Sequence, residues 1–332
     1  MLRMPKFKVI NPKTIEEVTE AIDKYPSARF IAGGTDLNPN LKHRLLEPSH
    51  IIALNQIEEM FGIEETETGL RIGAMESLTS IESSKVIQNA APGLASAARQ
   101  VSGPQLRNMG TIGGNVMLDT RCQWYNQTYF WRKSLGFCLK KDGTACHVIE
   151  KGSKCVAAAS NDTAAALSTL NAQLEFIKDK ERILIPIQDI WQADGIWNKK
   201  VSPQDLLVAI HLSKEYLNHA GSYSKLRDRK SIDFPLLGVA ARLNINSNNI
   251  ITDSSIVVVA LQARPWPLKK AAELLLNKKV NSEEFSDALE ECGAIASKQC
   301  RPMPNIPGDH EYRHKMVPIF VKRAIQACLK EV

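Results

Sequence analysis

The chain has 332 residues, 44% of them hydrophobic and 23% charged, and a formal net charge of +6. That length exceeds what one hydrophobic core usually fills, so two or three domains are expected, and the ordinary composition excludes a large disordered tail. No apolar run approaches the ~20 residues that cross a bilayer, no secretory signal is visible, and no dense basic stripe accompanies the modest charge. A membrane span and a nucleic-acid partner are therefore disfavoured, and a cytoplasmic location is expected.

The first elements read as alternating strand and helix. Short apolar runs at Lys8 to Ile10, Arg29 to Ala32 and Ile51 to Leu54 have strand character. Between the first two, Thr14-Ile15-Glu16-Glu17 has the form of a capping box, and Ile15, Val18 and Ile22 recur at helical spacing until Pro26. From Leu70 to Met117 a strand pattern gives way to helical stretches at Leu78 to Ile87 and Ala90 to Val101, then to a glycine-rich turn. The stretch from Asp119 to Cys155 follows neither period and is too long for an ordinary connection, so it reads as an insertion. Strands are predicted again at Gln173 to Ile177 and Arg182 to Ile187. Beyond Gly221, apolar runs at Tyr223 to Leu226, Leu236 to Leu243 and Ile256 to Leu261 precede helical patterns at Leu268 to Leu276 and Ser282 to Ser297. They predict a separate C-terminal α+β domain.

Two turns suit a phosphate. Ile31-Ala32-Gly33-Gly34-Thr35-Asp36-Leu37 ends a strand in paired glycines followed by hydroxyl and carboxyl side chains, and Gly110-Thr111-Ile112-Gly113-Gly114-Asn115 repeats that chemistry later in the chain. Glycines let backbone N–H groups converge on an anion with no Cβ in the way. Such loops from distant segments can clamp an extended cofactor from both sides; a plain tight turn with a capping side chain is the competing reading. Neither turn is the Gly-x-Gly-x-x-Gly opening of a Rossmann helix, so a nicotinamide-binding Rossmann domain is disfavoured.

Of the seven cysteines, Cys122, Cys138, Cys146 and Cys155 fall inside the insertion, while Cys292, Cys300 and Cys328 are scattered over helical sequence. A disulfide framework is unexpected in a reducing compartment. Tetrathiolate ligation admits zinc or iron–sulfur, and the spacing matches neither a zinc ribbon nor a ferredoxin run. The surroundings tilt the choice: Trp124, Tyr125, Tyr129, Phe130, Trp131 and Phe137 can shield a redox cluster, and Arg132, Lys133, Lys140, Lys141, Lys151 and Lys154 offset its negative charge. His147 beside Cys146 is read as a supporting group. Free buried thiols in a structural loop are the bland alternative.

The paired-glycine turn, Thr111-Ile112-Gly113-Gly114-Asn115, Tyr223-Ser224-Lys225-Leu226-Arg227 and Glu311-Tyr312-Arg313 together resemble the FAD-binding medium subunits of the xanthine dehydrogenase (molybdenum hydroxylase) family over essentially the whole chain. The insertion, with Asp119-Thr120-Arg121-Cys122 and Tyr125-Asn126-Gln127, resembles more narrowly the β subunits of 4-hydroxybenzoyl-CoA reductases. The resemblance implies an α+β fold: a two-part FAD-binding domain of the vanillyl-alcohol oxidase/p-cresol methylhydroxylase type over residues 1–220, with subdomains 1–55 and 56–220 and an iron–sulfur insertion at 119–156. A C-terminal α+β domain with a small antiparallel sheet follows over residues 221–332.

It further implies that Ile31, Ala32, Gly33, Gly34, Thr35, Asp36 and Leu37 wrap one side of the FAD pyrophosphate, that Thr111, Gly114 and Asn115 meet it from the second turn, and that Asp162, Leu207 and Lys225 are further FAD contacts. Lys225 would lie near the isoalloxazine and favour its anionic reduced form. Cys122, Cys138, Cys146 and Cys155 would hold one 4Fe-4S cluster, and no substrate chemistry is expected on this chain. The implied partners are a large molybdenum cofactor subunit and a small subunit with two 2Fe-2S clusters, in a dimer of heterotrimers, with a ferredoxin-like donor feeding electrons inward. Two other readings stand beside it: an oxidative hydroxylase subunit sending electrons outward to NAD or another acceptor, and a zinc-stabilised scaffold without redox activity.

Overall fold

The structure is a computed structural model and describes residues 2–330. Strand and helix alternate at the start: β1 (Lys8–Ile10), α1 (Ile15–Lys24), β2 (Arg29–Ile31), α2 (Leu37–Lys42) and β3 (His50–Ala53). The strands pair in parallel in the order β1-β3-β2. Parallel neighbours require crossovers, which the helices supply. α1 begins where the Thr14 hydroxyl accepts the Glu17 N–H and the Glu17 carboxylate accepts the Lys13 N–H, and it buries Ile15, Val18 and Ala21.

β4 (Ile63–Thr66) and β5 (Gly69–Gly73) lead into α3 (Leu78–Ser83), α4 (Lys85–Ala90), α5 (Pro92–Arg99), α6 (Pro104–Met109) and α7 (Ile112–Val116). Two predicted helices are thus divided into three. Ser84 caps α4 through its hydroxyl on the Ile87 N–H, and Pro92, which has no N–H to lose, occupies the first turn of α5. The insertion carries a single short helix among the described residues, α8 (Tyr129–Ser134), after which comes α9 (Asp162–Thr169), buried along its whole length. β6 (Gln173–Lys178), β7 (Glu181–Pro186) and β8 (Leu206–Ser213) join the earlier hairpin in a five-stranded antiparallel sheet of order β4-β5-β8-β6-β7.

The C-terminal part is a four-stranded antiparallel sheet of β9 (Ala220–Leu226), β10 (Leu237–Ile245), β11 (Ile251–Val259) and β12 (Trp266–Pro267), with α10 (Lys269–Glu273), α11 (Glu283–Gln299) and α12 (His310–Cys328). β10 is buried on both faces over most of its length because both faces are covered. Leu237, Val239, Ala241 and Leu243 of β10 face one core with α11 and α12, whereas Ala240 points the other way into the larger core with α5 and α9. Among the described residues no helix is long and apolar enough to cross a membrane.

Candidate functional site

The paired glycines follow β2, and the second turn opens α7. A Cβ on Gly33 would stand 1.6 Å from the Met109 carbonyl oxygen and 3.0 Å from the Gly110 nitrogen, so only glycine lets the first turn lie directly against the second. Gly34 takes a φ of +70°, the left-handed conformation that other residues adopt at a cost. Thr111 steadies the second turn by accepting the Gly114 N–H at 3.0 Å, while the Ile112 N–H donates to the Glu76 carbonyl at 2.9 Å. The first turn therefore packs against the residues that lead into the second, and both turns line one cleft. Close backbone approach at Gly33 is the reason.

Together they line a cleft of 730 Å³, a size that suits a cofactor. Ile31, Ala32, Gly33, Gly34, Thr35, Asp36, Leu37, Thr111, Gly114, Asn115, Asp162 and Leu207 all lie on its wall. The Asn115 side chain is already engaged, its Oδ1 accepting the Thr163 N–H at 3.0 Å and the Thr163 hydroxyl at 2.6 Å. Lys225 is not on the wall. Its fully buried ammonium donates to the carbonyls of Gln100 at 2.9 Å and Asp233 at 3.1 Å and stands 3.2 Å from the Asp162 carboxylate, so it sits behind Asp162. The Tyr223 hydroxyl donates to the same carboxylate at 2.6 Å. Burial raises the Asp162 carboxyl above the usual range and lowers the Lys225 ammonium, and each partner opposes the other's shift.

Part of the wall has no counterpart among the predicted contacts: Arg121, Tyr125, Lys140, Trp197, Ile232 and Phe234. Arg121 pairs with the Asp36 carboxylate, and its guanidinium lies 4.5 Å from the Phe234 ring centre. Burial pushes it down to about 10. Arg121 and Tyr125 belong to motifs legible at the insertion's start, whereas Trp197, Ile232 and Phe234 lie in irregular segments with no periodic or glycine signal.

Cys122, Cys138, Cys146 and Cys155 line one small pocket together with Trp124, Tyr125, Lys140 and His147. Three of the cysteines are buried and Cys146 is half-buried. Gly136, Phe137 and Asp142 adopt positive φ around Cys138, whose carbonyl accepts the N–H groups of Lys141 at 2.9 Å and Gly143 at 3.2 Å. Burial, with the other three thiols adding to it, pushes the Cys122 thiol up to about 12. The same cause holds Cys155 at about 11, against the pull of Lys140 and of an Ala157 N–H at 3.5 Å from its sulfur.

Among the described residues no three His, Cys, Asp or Glu side chains are arranged to hold a single metal ion. The four thiols line one pocket, and soft thiolate donors suit zinc and iron–sulfur clusters alike. His147 Nε2 lies 2.5 Å from the Phe137 carbonyl oxygen, a supporting contact. Cys292, Cys300 and Cys328 lie elsewhere, fully buried in the C-terminal core, where burial pushes the first two thiols up to about 12. Tyr125 and Lys140 line both the cleft and the cysteine pocket.

Residues 5–214 match the family described as the FAD binding domain in molybdopterin dehydrogenase, and residues 222–328 match the CO dehydrogenase flavoprotein C-terminal domain. The chain is 26% identical to the carbon monoxide dehydrogenase medium chain of Hydrogenophaga pseudoflava, with 97% of each chain covered. It is 22% identical to the nicotinate dehydrogenase FAD-subunit of Eubacterium barkeri, covering 99% of this chain and 95% of that one. Its fold matches a solved chain of the Hydrogenophaga pseudoflava carbon monoxide dehydrogenase with a TM-score of 0.79 at 23% identity, over 99% of each chain.

Proposed function

The chain belongs to the FAD-binding subunits of the molybdenum hydroxylase family, and on that premise we propose that it is the electron relay of a heteromeric molybdenum enzyme in which FAD and a 4Fe-4S cluster work side by side. It is an oxidoreductase subunit. The observation that carries the second cofactor is the gathering of Cys122, Cys138, Cys146 and Cys155 around one pocket that shares a wall with the cleft. The proposal extends to a vanillyl-alcohol oxidase-type FAD domain over residues 1–220 with its insertion at 119–156, and a C-terminal domain from 221 onward.

FAD in the cleft supplies the exchange between two-electron and one-electron chemistry. The chain's own residues bind and orient it. The first glycine turn offers backbone N–H groups to the pyrophosphate, whereas those of Ile112, Gly113, Gly114 and Asn115 are spent on holding the second turn in place against the cleft. Arg121, fixed by Asp36 and stacked on Phe234, places a positive charge on the wall. Asp162 lies on the wall with both carboxylate oxygens held by Tyr223 and Lys225. In the pocket the Ala157 N–H and the Lys140 ammonium stabilise thiolate sulfur.

The partners in this reading are a large molybdenum cofactor subunit and a small subunit with two 2Fe-2S clusters, in a cytoplasmic dimer of heterotrimers. Electrons enter from a ferredoxin-like donor and serve the reductive removal of a phenolic hydroxyl in aromatic degradation, because the insertion resembles that of the 4-hydroxybenzoyl-CoA reductases. A second reading, with electrons leaving to NAD or another acceptor, is favoured by the relatives' names, carbon monoxide dehydrogenase and nicotinate dehydrogenase.

The test is anaerobic purification of the complex with FAD, iron, sulfide and zinc analysis. One FAD and cluster iron that falls on Cys138→Ser but not on Cys292→Ser are expected; zinc in place of iron, or unchanged iron in the Cys138 variant, would overturn the cluster assignment. Turnover of aromatic CoA thioesters with a reduced low-potential donor, set against NAD reduction, decides the direction.

A further inference from the structure

Among the described residues, Lys140 is the one besides Tyr125 that lines both the cleft and the cysteine pocket. Its side chain is only 3% exposed, yet its ammonium is held firmly. It donates to Asp119 Oδ1 at 2.9 Å, Thr120 Oγ1 at 2.8 Å, the Ile196 carbonyl at 3.2 Å and the Gly195 carbonyl, and it lies 4.7 Å from the centre of the Tyr125 ring. The Thr120 hydroxyl donates to the same Gly195 carbonyl at 2.6 Å. Gly195 is itself pressed against the cysteine pocket: its N–H donates to the Cys155 carbonyl at 2.8 Å, and a Cβ there would stand 3.0 Å from Cys155 Sγ. One network therefore fixes a cation in the partition between the two sites.

A buried cation beside a redox group favours whichever form carries more negative charge, which is the reduced one, and the effect is strong where water is excluded. Asp119 offsets only part of the charge, since its carboxylate is 27% exposed and more screened by solvent than the ammonium. We propose that Lys140 is a positioning residue whose ammonium raises the reduction potentials of both the flavin in the cleft and the cluster in the cysteine pocket, setting the two together. This rests on the reading of the two sites given above. The sharing has a consequence: a change at Lys140 moves the two potentials in one direction, whereas a residue on one wall alone moves one.

The experiment is redox titration of the anaerobically purified complex, following flavin absorbance and cluster EPR, for the wild type, Lys140→Gln, Lys140→Arg and the double variant Lys140→Gln/Asp119→Asn. Glutamine keeps donors for the carbonyls and removes the charge. Both midpoint potentials are expected to fall in Lys140→Gln, to stay low in the double variant and to return toward wild type in Lys140→Arg. Unchanged potentials in a Lys140→Gln complex that retains wild-type FAD and iron would overturn the inference, as would full recovery in the double variant, which would trace the shift to an unpaired Asp119. Should Lys140→Gln fail to assemble, a Lys140→Arg complex with either potential well below wild type overturns it too. A wild-type complex lacking cluster iron removes the functional reading itself, a result seen before any variant is made.

Discussion

Gly33 illustrates how one missing atom builds the cleft. The atom its Cβ would strike is backbone, the Met109 carbonyl oxygen at 1.6 Å, so no rotamer change relieves the clash and the two turns must part. Gly33→Ala is therefore expected to weaken FAD retention by about tenfold or more, about 1.4 kcal/mol of binding free energy. The FAD-to-protein ratio after gel filtration measures it, and full retention in a folded variant would show that the contact between the turns is dispensable. Gly34 differs in kind: its φ of +70° makes any side chain cost about 1–2 kcal/mol of backbone strain, a loss that should show mainly in thermal stability. Neither difference is visible in the sequence, where the two glycines are equivalent neighbours.

At the level of elements, the five-stranded sheet is tied by Glu175 on β6. Its buried carboxylate accepts from His211 Nε2 on β8 at 2.6 Å and from Arg182 on β7, which also reaches Glu59. The hydrogen bond from His211, followed by that from Arg182, holds the carboxyl below its ordinary value of 4.5. A depressed carboxyl contributes stability that is present above the unfolded value and is lost as pH falls through the lower folded value. Glu175→Gln is accordingly expected to cost about 1 kcal/mol near neutral pH, the small size following from half-exposed partners. The variant should also lose less stability than wild type as the pH drops below 4.5. Urea midpoints across that range decide, and parallel curves for the two proteins would contradict the assignment. β8 itself went unpredicted although Leu206-Leu207-Val208-Ala209-Ile210 is a continuous apolar run. Such a run fits a buried strand and a buried helix equally well until its neighbours are known.

At the scale of the whole molecule, the cleft and the C-terminal sheet are joined through Asp162 at the start of α9 and Tyr223 and Lys225 on β9. Gly93 and Gly221 allow the same parts to approach closely, a Cβ on Gly221 meeting the Gly93 nitrogen at 3.0 Å. Asp162→Ala leaves the Lys225 ammonium buried without its counter-charge, and a loss of about 3–5 kcal/mol is expected. Removing both charges in Asp162→Ala/Lys225→Met should recover much of it. Thermal or urea unfolding of the single and double variants measures the difference, and additive losses would show that the two groups are not coupled. Lys225→Met alone should act on the cleft only through the freed Asp162 carboxylate, because the ammonium is not on the cleft wall.

What the sequence by itself determined was local. The capped helix from Ile15, the two glycine turns, the clustering of four cysteines in an aperiodic insertion and the mixed helix and sheet class all rest on residues a few positions apart, where backbone geometry and hydrogen bonding act directly. α12 was legible only as helical sequence around Cys328, without bounds, because Pro318 and scattered charges interrupt its apolar period, and the core formed by Val317, Phe320, Val321, Ala324 and Ile325 is what keeps it helical. Only the tertiary structure decided that both glycine turns line one cleft, that Lys225 lies behind Asp162, that Trp197, Ile232 and Phe234 complete the wall, and that Tyr125 and Lys140 face two sites at once. Each of these is a meeting of segments far apart in the chain. Such meetings are set by how whole sheets and helices bury their faces against one another, a constraint that leaves no periodic mark on the residues that happen to line the gap between them.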